Sequence, residues 1–279
     1  MQYVRVTSEK DLLAQLAHPG TAILCGGTDL IVKMRAGMVD AQRLADVSGL
    51  AALRGISEEN GTLVIGAAEP EETLLQSPRV RERLPLLTDA LAKLGSVQIR
   101  TRGSLGGNLV NASPAADSAI PLLLYDAQIE LVGPAGQETV PLRDFFVGPG
   151  RTTLSDNAYV RCIRVPTEAS DWIGFFHKVG KRQALTISIA SLGALAHVDG
   201  GRIDDIRIAA GSVAPTPIRL DAVENLLRGQ PLDDHTIDRA RKVAEAAVSP
   251  IDDVRASAAY RREVIGELLV RFLTQLREG

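Results

Sequence analysis

Cysteine is scarce in this chain of 279 residues. Only Cys25 and Cys162 occur, and they do not form a Cys-x-x-Cys spacing. Because iron–sulfur clusters and structural zinc sites need several cysteine ligands, the chain cannot hold such a centre with its own cysteines alone. The four histidines are also scattered without metal-ligand spacing. We therefore predict surface or packing roles for them and no metal site.

The sequence also lacks an excess of positive charge and any long apolar run. Its formal net charge is -3, with acids and bases mixed along the chain, so no basic stripe favours nucleic-acid binding. No stretch reaches the roughly 18 apolar residues of a membrane helix, and the N-terminus has no basic flank followed by an apolar segment. We predict a cytoplasmic protein that neither binds nucleic acid nor inserts into a membrane.

Two glycine-rich segments stand out, at residues 23–35 (ILCGGTDLIVKMR) and 98–117 (QIRTRGSLGGNLVNASPAAD). In the first, an apolar strand is followed by paired glycines, short polar residues and a helix. In the second, Gly106 and Gly107 can take φ above zero and let main-chain N–H groups approach a ligand closely. The short polar side chains around this pair belong to Ser104, Asn108, Ser113 and Asp117. Two such segments predict a bound cofactor that contains phosphate.

Neither segment matches the common phosphate loops. The dinucleotide motif G-x-G-x-x-G, with an acid about 20 residues further on, is absent from both. A P-loop would need Lys and then Ser or Thr directly after the second glycine, where the chain has Thr28 and Asp29. Residues 25–30, taken alone, are equally consistent with a tight turn between a strand and a helix. The second segment favours a ligand more strongly, because its dense polar groups would otherwise lack partners.

The hydrophobic pattern divides the chain near Pro166. Before it, strand patterns alternate with helical ones, including a helix predicted over residues 79–95 whose leucines share one face. A hairpin is predicted around Gly133 to Gly136. The domain boundaries that we predict are 1–166 for a first domain, with parts of about 1–56 and 57–166, and 167–279 for a second.

The second domain has a simpler pattern. Three strand patterns, at residues 174–180, 191–198 and 202–213, suit one antiparallel sheet, and the remainder of the chain has helical periodicity. Helices behind a sheet predict a compact α+β domain.

The two glycine-rich segments together resemble those of the flavin-binding medium subunit of the molybdenum hydroxylases, the family of carbon monoxide dehydrogenase and bacterial three-subunit xanthine dehydrogenase. That family carries A-G-G-T/H-D/S-L and Q-I-R-N-x-G-T-I-G-G-N-x-x-x-A-S-P-x-x-D, which here are Cys25 to Leu30 and Gln98 to Asp117. Further matches lie at 146–154, at 163–166, at Lys178 with Arg182, and at 211–219. The likeness covers essentially the whole chain.

The resemblance implies an α+β protein with a two-part FAD-binding domain of the vanillyl-alcohol oxidase-like type. A C-terminal domain of three-stranded antiparallel sheet and helices would follow it. FAD would lie, held non-covalently, in the cleft between the two parts of the first domain. The molybdenum cofactor and the iron–sulfur clusters would be carried only by partner subunits.

The resemblance also implies roles for individual residues. Backbone amides of Gly26, Gly27, Thr28 and Asp29 would meet the pyrophosphate, because oriented N–H dipoles can neutralise its charge. The cofactor-binding residues that the resemblance implies are Leu24, Cys25, Gly26, Gly27, Thr28, Asp29, Leu30, Thr101, Ser104, Gly106, Gly107, Asn108, Ser113, Asp117, Val160 and Lys178.

Three of these residues have an ordinary structural alternative. Asp117 matches the family's contact to the ribityl chain or the flavin ring, and it could instead be the N-cap of a helix. Val160 matches an apolar residue set against the ring, and core packing would explain it equally well. Lys178 matches a lysine near the flavin, where a cation would favour the anionic reduced ring, so we name it as the catalytic candidate. A surface lysine is the alternative.

The function implied is that of an oxidoreductase subunit. It would pass electrons from the iron–sulfur clusters of a partner subunit through FAD to NAD or another acceptor. Two alternatives remain: a self-contained flavin reductase of the same broad fold, and a redox-silent nucleotide-binding module. The first would need its own substrate acid and base near the ring, and the sequence shows no such group.

Overall fold

The computed structural model describes residues 1–182 and 185–278. The chain begins with a parallel sheet in the order β1-β3-β2, formed by β1 (Gln2–Arg5), β2 (Thr21–Leu24) and β3 (Arg43–Asp46). Helix α1 (Glu9–Leu16) packs against β2 and β3, and Ser8 caps it by accepting the Asp11 N–H. Helix α2 (Leu30–Arg35) follows β2, and none of its residues is buried. The sheet therefore has a partly uncovered edge at β2 and α2.

A five-stranded antiparallel sheet in the order β4-β5-β10-β6-β7 forms the next layer. Its strands are β4 (Ile56–Glu59), β5 (Thr62–Gly66), β6 (Gln128–Gly133), β7 (Gly136–Pro141) and β10 (Tyr159–Pro166). Six helices lie between β5 and β6: α3 (Glu71–Gln76), α4 (Pro78–Arg83), α5 (Pro85–Ala92), α6 (Val97–Arg102), α7 (Leu105–Asn111) and α8 (Ala119–Leu124). Short elements α9 (Leu142–Phe145), β8 (Phe146–Gly148) and β9 (Arg151–Thr152) precede β10. The predicted hairpin is thus β6 and β7.

The single helix predicted over residues 79–95 is wrong. The structure has α4 and α5 there, separated at Leu84, whose φ of -134° and ψ of 59° are not helical. Pro85 causes the break, because proline has no N–H to donate and disfavours helical geometry in the residue before it. The leucines at 84, 87, 91 and 94 are nevertheless buried, as their spacing predicted.

The second half of the chain is built on the sheet order β11-β12-β13-β14, with β11 (Ile173–Val179), β12 (Ala190–Asp199), β13 (Arg202–Gly211) and β14 (Ile218–Arg219). The three predicted strands are present and antiparallel, and the two-residue β14 extends the edge. Helices α10 (Asp221–Leu227), α11 (Asp234–Ala247) and α12 (Ala258–Glu278) pack behind them. The predicted α+β class is confirmed. Over 1–182 and 185–278, no helix has both the length and the apolar character needed to cross a membrane.

Helix α8 joins the two halves of the molecule. All six of its residues are buried, and it packs against α5 on one side and against β12 and β13 on the other. Ile120 fits against the glycines of those strands, since a Cβ on Gly193 would lie 2.5 Å from its Cγ2. At the C-terminal end of α8, Arg219 and Arg207 donate hydrogen bonds to the carbonyls of residues 123 and 124 at 3.0 Å. Cations at this end stabilise the helix dipole.

The buried pair of Arg219 and Glu224 provides a test of this second core. Glu224 accepts hydrogen bonds from Arg219 Nε at 2.7 Å and from the Ile208 N–H at 2.8 Å. We expect Glu224→Ala to lower the free energy of unfolding by about 3 kcal/mol, because it leaves the buried Arg219 guanidinium with only the half-exposed Asp126 as a counter-ion and the buried Ile208 N–H without its acceptor. Asp221→Ala, which removes an exposed ion pair with Arg143, should cost at most about 1 kcal/mol. Urea unfolding followed by circular dichroism measures both, and equal losses would contradict the assignment.

Candidate functional site

A cavity of about 290 Å³ brings the two glycine-rich segments together. Its wall includes the turn between β2 and α2, the start of α7 and part of β10. The predicted site residues that line it are Cys25, Gly26, Gly27, Thr28, Asp29, Leu30, Ser104, Gly106, Gly107, Asn108 and Val160. Segments about eighty residues apart in the sequence thus form one site.

The turn after β2 presents a row of unused backbone donors. Within the described part of the chain, the N–H groups of Gly26, Gly27, Thr28 and Asp29 have no hydrogen-bond acceptor. Gly27 has φ +73°, which glycine adopts without steric cost. Consecutive free amides beside a cavity form a concave site of partial positive charge that suits an anion. The turn is therefore able to bind phosphate oxygens without a lysine.

Gly26 is where the two segments touch. A Cβ placed on this residue would lie 1.8 Å from the carbonyl oxygen of Arg102, and 2.4 Å from its carbonyl carbon. Both are backbone atoms at the end of α6, so they cannot rotate away as a side-chain end would. The approach of the turn to the second segment requires glycine at this position.

The second segment is mainly helical, and the expectation of positive φ at Gly106 and Gly107 is wrong. Both lie in α7, which Ser104 caps by accepting the Gly107 N–H at 3.2 Å. The Gly106 N–H donates to the carbonyl of Ala67 at 2.9 Å, so neither amide is free for a ligand. The segment forms a helix here because a serine at the N-cap accepts an amide of the first helical turn and so stabilises the start of the helix. Gly106 permits close packing instead, since its Cβ would lie 2.6 Å from that of Ala67.

Five of the predicted residues do not line the cavity: Leu24, Thr101, Ser113, Asp117 and Lys178. The exposed Thr101 directs its hydroxyl back to the carbonyl of Val97 in its own helix. Ser113 accepts the N–H of Ala115 at 3.2 Å. These two hydroxyls are therefore engaged locally in this structure.

Asp117 and Lys178 form a buried ion pair. Lys178 Nζ lies 2.5 Å from Asp117 Oδ2 and donates to the carbonyl of Lys93 at 2.8 Å. Each side chain is only 7% exposed, so Lys178 is not a surface lysine. Ser118 occupies the N-cap position of α8, which removes the helix-cap alternative for Asp117.

The remaining carboxylate oxygen of Asp117 has no partner. Asp117 Oδ1 is buried without a hydrogen bond to any residue that the structure describes. Burial raises the pKa of Asp117, although Lys178 and Lys93 oppose this shift. Buried oxygens normally accept a hydrogen bond, so Oδ1 needs a donor from outside the described chain.

Glu71 also lines the cavity, although no sequence pattern predicts it as a site residue. It begins α3, is 1% exposed, and accepts a hydrogen bond from the side-chain amide of Asn108 at 2.9 Å. The pKa of Glu71 is raised to about 7, mainly by burial; the charges of Asp29 and Asp117 also raise it, whereas Asn108 and Arg100 oppose the shift. In the sequence, Glu71 is one of several acids at a helix start, which normally indicates only a solvated first turn.

Other cavity residues support the wall. Lys33 Nζ lies 2.5 Å from Asn111 Oδ1 and so ties α2 to α7. Val160 is 6% exposed, packs in the core of the first half and also lines the cavity; core packing is therefore observed, and a contact with a flavin ring stays a prediction. Among residues 1–182 and 185–278 there is no group of three or more acidic, histidine or cysteine side chains placed to hold a metal ion.

Comparison with known proteins also indicates a flavin-binding chain, and two family matches together cover nearly its whole length. Residues 1–168 match the family described as FAD binding domain in molybdopterin dehydrogenase. Residues 175–276 match the CO dehydrogenase flavoprotein C-terminal domain.

Individual relatives agree with these matches. The carbon monoxide dehydrogenase medium chain of Hydrogenophaga pseudoflava is 33% identical, covering 94% of this chain and 91% of the relative. The xanthine dehydrogenase FAD-binding subunit of Escherichia coli O157:H7 is 31% identical, covering 98% and 94%. In a solved structure of carbon monoxide dehydrogenase from Hydrogenophaga pseudoflava, a chain with 32% identity superimposes with a TM-score of 0.93, covering 97% of this chain and 95% of that one.

The contact at Gly26 gives a prediction for the site. We expect Gly26→Ala to lower the free energy of unfolding by about 1–3 kcal/mol, because its Cβ must displace backbone at Arg102. Gly148→Ala is the matched control: a Cβ there meets nothing within 4 Å, and the change should stay within about 0.5 kcal/mol. Urea unfolding of both variants measures the difference. A Gly26→Ala protein as stable as the control would show that the segments can separate without cost.

Proposed function

The chain belongs to the FAD-binding family of the molybdopterin dehydrogenases, and on that premise we propose that it serves a multi-subunit molybdenum hydroxylase as its electron-transfer subunit. It is an FAD-dependent oxidoreductase subunit by family. In our proposal, electrons come from iron–sulfur clusters on one partner subunit, the molybdenum cofactor lies on another, and NAD or a different acceptor receives the electrons. The xanthine and carbon monoxide dehydrogenase relatives support this arrangement.

The observation that carries the proposal is the row of free amides at residues 26–29. We propose that these N–H groups hold the pyrophosphate of FAD, because their residues line the cavity and the amides have no acceptor among the described residues. Across the cavity, Ser104, Gly106, Gly107 and Asn108 would form the opposite wall. The two glycines of α7 would contribute clearance, since their amides are already bonded.

Asp117 and Lys178 would serve the redox end of the site. The unpartnered Asp117 Oδ1 is suited to accept a hydrogen bond from a ribityl hydroxyl or a ring N–H. FAD, when bound, supplies one- and two-electron chemistry. A cation at Lys178 would favour negative charge nearby, and Asp117 holds that cation in place. Val160 would provide an apolar surface for the ring.

The remaining residues of the proposed cofactor-binding set have less support from the structure. Cys25 and Leu30 line the cavity, and Leu24 adjoins two lining residues in the sequence, whereas Thr101 and Ser113 lie two residues from the nearest lining residues. We propose non-covalent attachment, with affinity supplied by the amides at 26–29. We also keep the domain division at 1–166 and 167–279 as a proposal; it agrees with a separate core behind β12 and β13.

Binding of FAD should be detectable from the colour of the protein and from its resistance to thermal unfolding. The purified chain is expected to be yellow when loaded, and FAD at one hundred times its Kd should stabilise the fold by about 2.7 kcal/mol. Thermal unfolding with increasing FAD measures this. Gly107→Val should lose the response, because even a Cβ there would lie 2.9 Å from Ser104 Oγ, while Gly148→Ala should keep it. A colourless wild-type protein with an unchanged Tm would refute the flavin assignment.

The acceptor can be identified by anaerobic reduction. If NAD is the acceptor, we expect NADH to bleach the flavin of the loaded chain without any partner subunit. Hydride transfer between FAD and NAD is reversible, so NADH can reduce the same flavin that would otherwise reduce NAD. Bleaching by dithionite but not by NADH would indicate a different acceptor. Failure of dithionite to bleach it would favour the redox-silent module. Steady turnover of a small-molecule substrate by the isolated chain would favour the self-contained reductase.

A further inference from the structure

Glu71 occupies a position in the cavity that the family-level function leaves unexplained. Its Oε1 is held by Asn108 at 2.9 Å, while Oε2 has no hydrogen bond to any described residue. A Cβ placed on Gly103 would lie 3.0 Å from Glu71 Oε2 and 3.5 Å from Thr28 Oγ1. The free carboxyl oxygen and the Thr28 hydroxyl therefore both lie close to Gly103. Glu71 thus lines the same cavity as the turn with the free amides, near the side chain of Thr28.

The charges around Glu71 give it little support as an anion. Asp29, at the start of α2, and Asp117, beyond α7, both disfavour a second negative charge there. The cation that faces it, Arg100 on α6, is already paired with Glu72 at 2.7 Å. Lys33 lines the same cavity but lies against Asn111. Helices α4 and α5 also pack on α3. None of their described charged side chains is among the groups that shift the pKa of Glu71 most strongly.

In this setting the protonated form of the Glu71 carboxyl group, and not the usual anion, is the one that favours a bound phosphate. An ionised Glu71 would repel the pyrophosphate that the adjacent amides attract, whereas a protonated one has an O–H to donate. Burial already raises its pKa to about 7, so both forms are present near neutral pH. A bound anion would shift this balance towards the protonated form.

We propose that Glu71 binds the cofactor as a neutral acid that donates its O–H to a phosphate oxygen, so that FAD binding near neutral pH takes up one proton. The inference rests on the proposed placement of the pyrophosphate at residues 26–29. It adds a proton to the binding equilibrium: the carboxylate gains H⁺ from solvent, forms one hydrogen bond to the anion, and releases that proton when FAD leaves.

The sign of the effect follows from the two pKa values. Glu71 has a pKa of about 7 without ligand, and the nearby phosphate charge raises it further. Below pH 6 the group is protonated in both states, and affinity is independent of pH. Above pH 7 the free chain must first take up a proton, so the Kd rises with pH, by at most tenfold per pH unit.

The full-length chain, stripped of flavin and titrated with FAD at pH 6.5 and pH 8, provides the test. We expect the wild-type Kd to be up to about tenfold weaker at the higher pH. Glu71→Gln keeps a donor but cannot titrate, so its Kd should be the same at both pH values and lower than the wild-type Kd at pH 8. Glu82→Gln, the same change at an exposed glutamate of α4, should retain the wild-type pH dependence.

Calorimetry on the wild-type chain tests the inference without any variant. At pH 7.5, FAD binding measured in two buffers of different ionisation enthalpy should show uptake of roughly half a proton or more. A pH-independent wild-type Kd with no proton uptake would overturn the inference while FAD binding stands. A pH dependence that persists in Glu71→Gln would overturn it as well. Absence of FAD binding at every pH would instead remove the proposed function on which it rests.

Discussion

The contact between the Gly26 backbone and the carbonyl of Arg102 is the constraint on which the site depends. The β2–α2 turn follows a strand of the parallel sheet, and Arg102 ends α6, which packs against α3. Because no side chain separates them, the turn lies directly against the second segment, and residues 26–29 line the cavity with their amides free of any described acceptor. The close approach also places α7 opposite the turn. The arrangement of the free amides therefore results from the close packing of the β2–α2 turn against the end of α6.

Buried charge is arranged around this contact in two different ways. Asp117 and Lys178, which come from opposite halves of the chain, neutralise one another and leave one acceptor oxygen over. Glu71 has no such cation of its own, and its burial makes protonation nearly as favourable as ionisation at neutral pH. One acid of the first half is thus paired with a lysine outside the cavity lining, and another lines the cavity without such a partner among the described residues.

The sequence predicted the features that depend on local pattern. The strand, paired glycines and helix at 23–35 are adjacent in the chain, so their order alone indicates a tight turn; the role of its amides was implied by the family resemblance. The conformation of Gly106 and Gly107 was missed because Ser104 caps a helix there, and a serine before glycines can equally begin a loop. Glu71 was missed because its partner Asn108 lies thirty-seven residues away. Its desolvation comes from packing that no local pattern encodes.

Helix α8 bears on how the two halves can exist apart. By sequence it belongs to the first half, yet its residues fill the space beneath β12 and β13, and arginines of the second half bond its last carbonyls. A fragment that ends at Pro166 would expose this wholly apolar helix to water. Large exposed apolar surfaces promote self-association. The two regions that the sequence separates are therefore interdependent for solubility, because the second covers an apolar helix of the first.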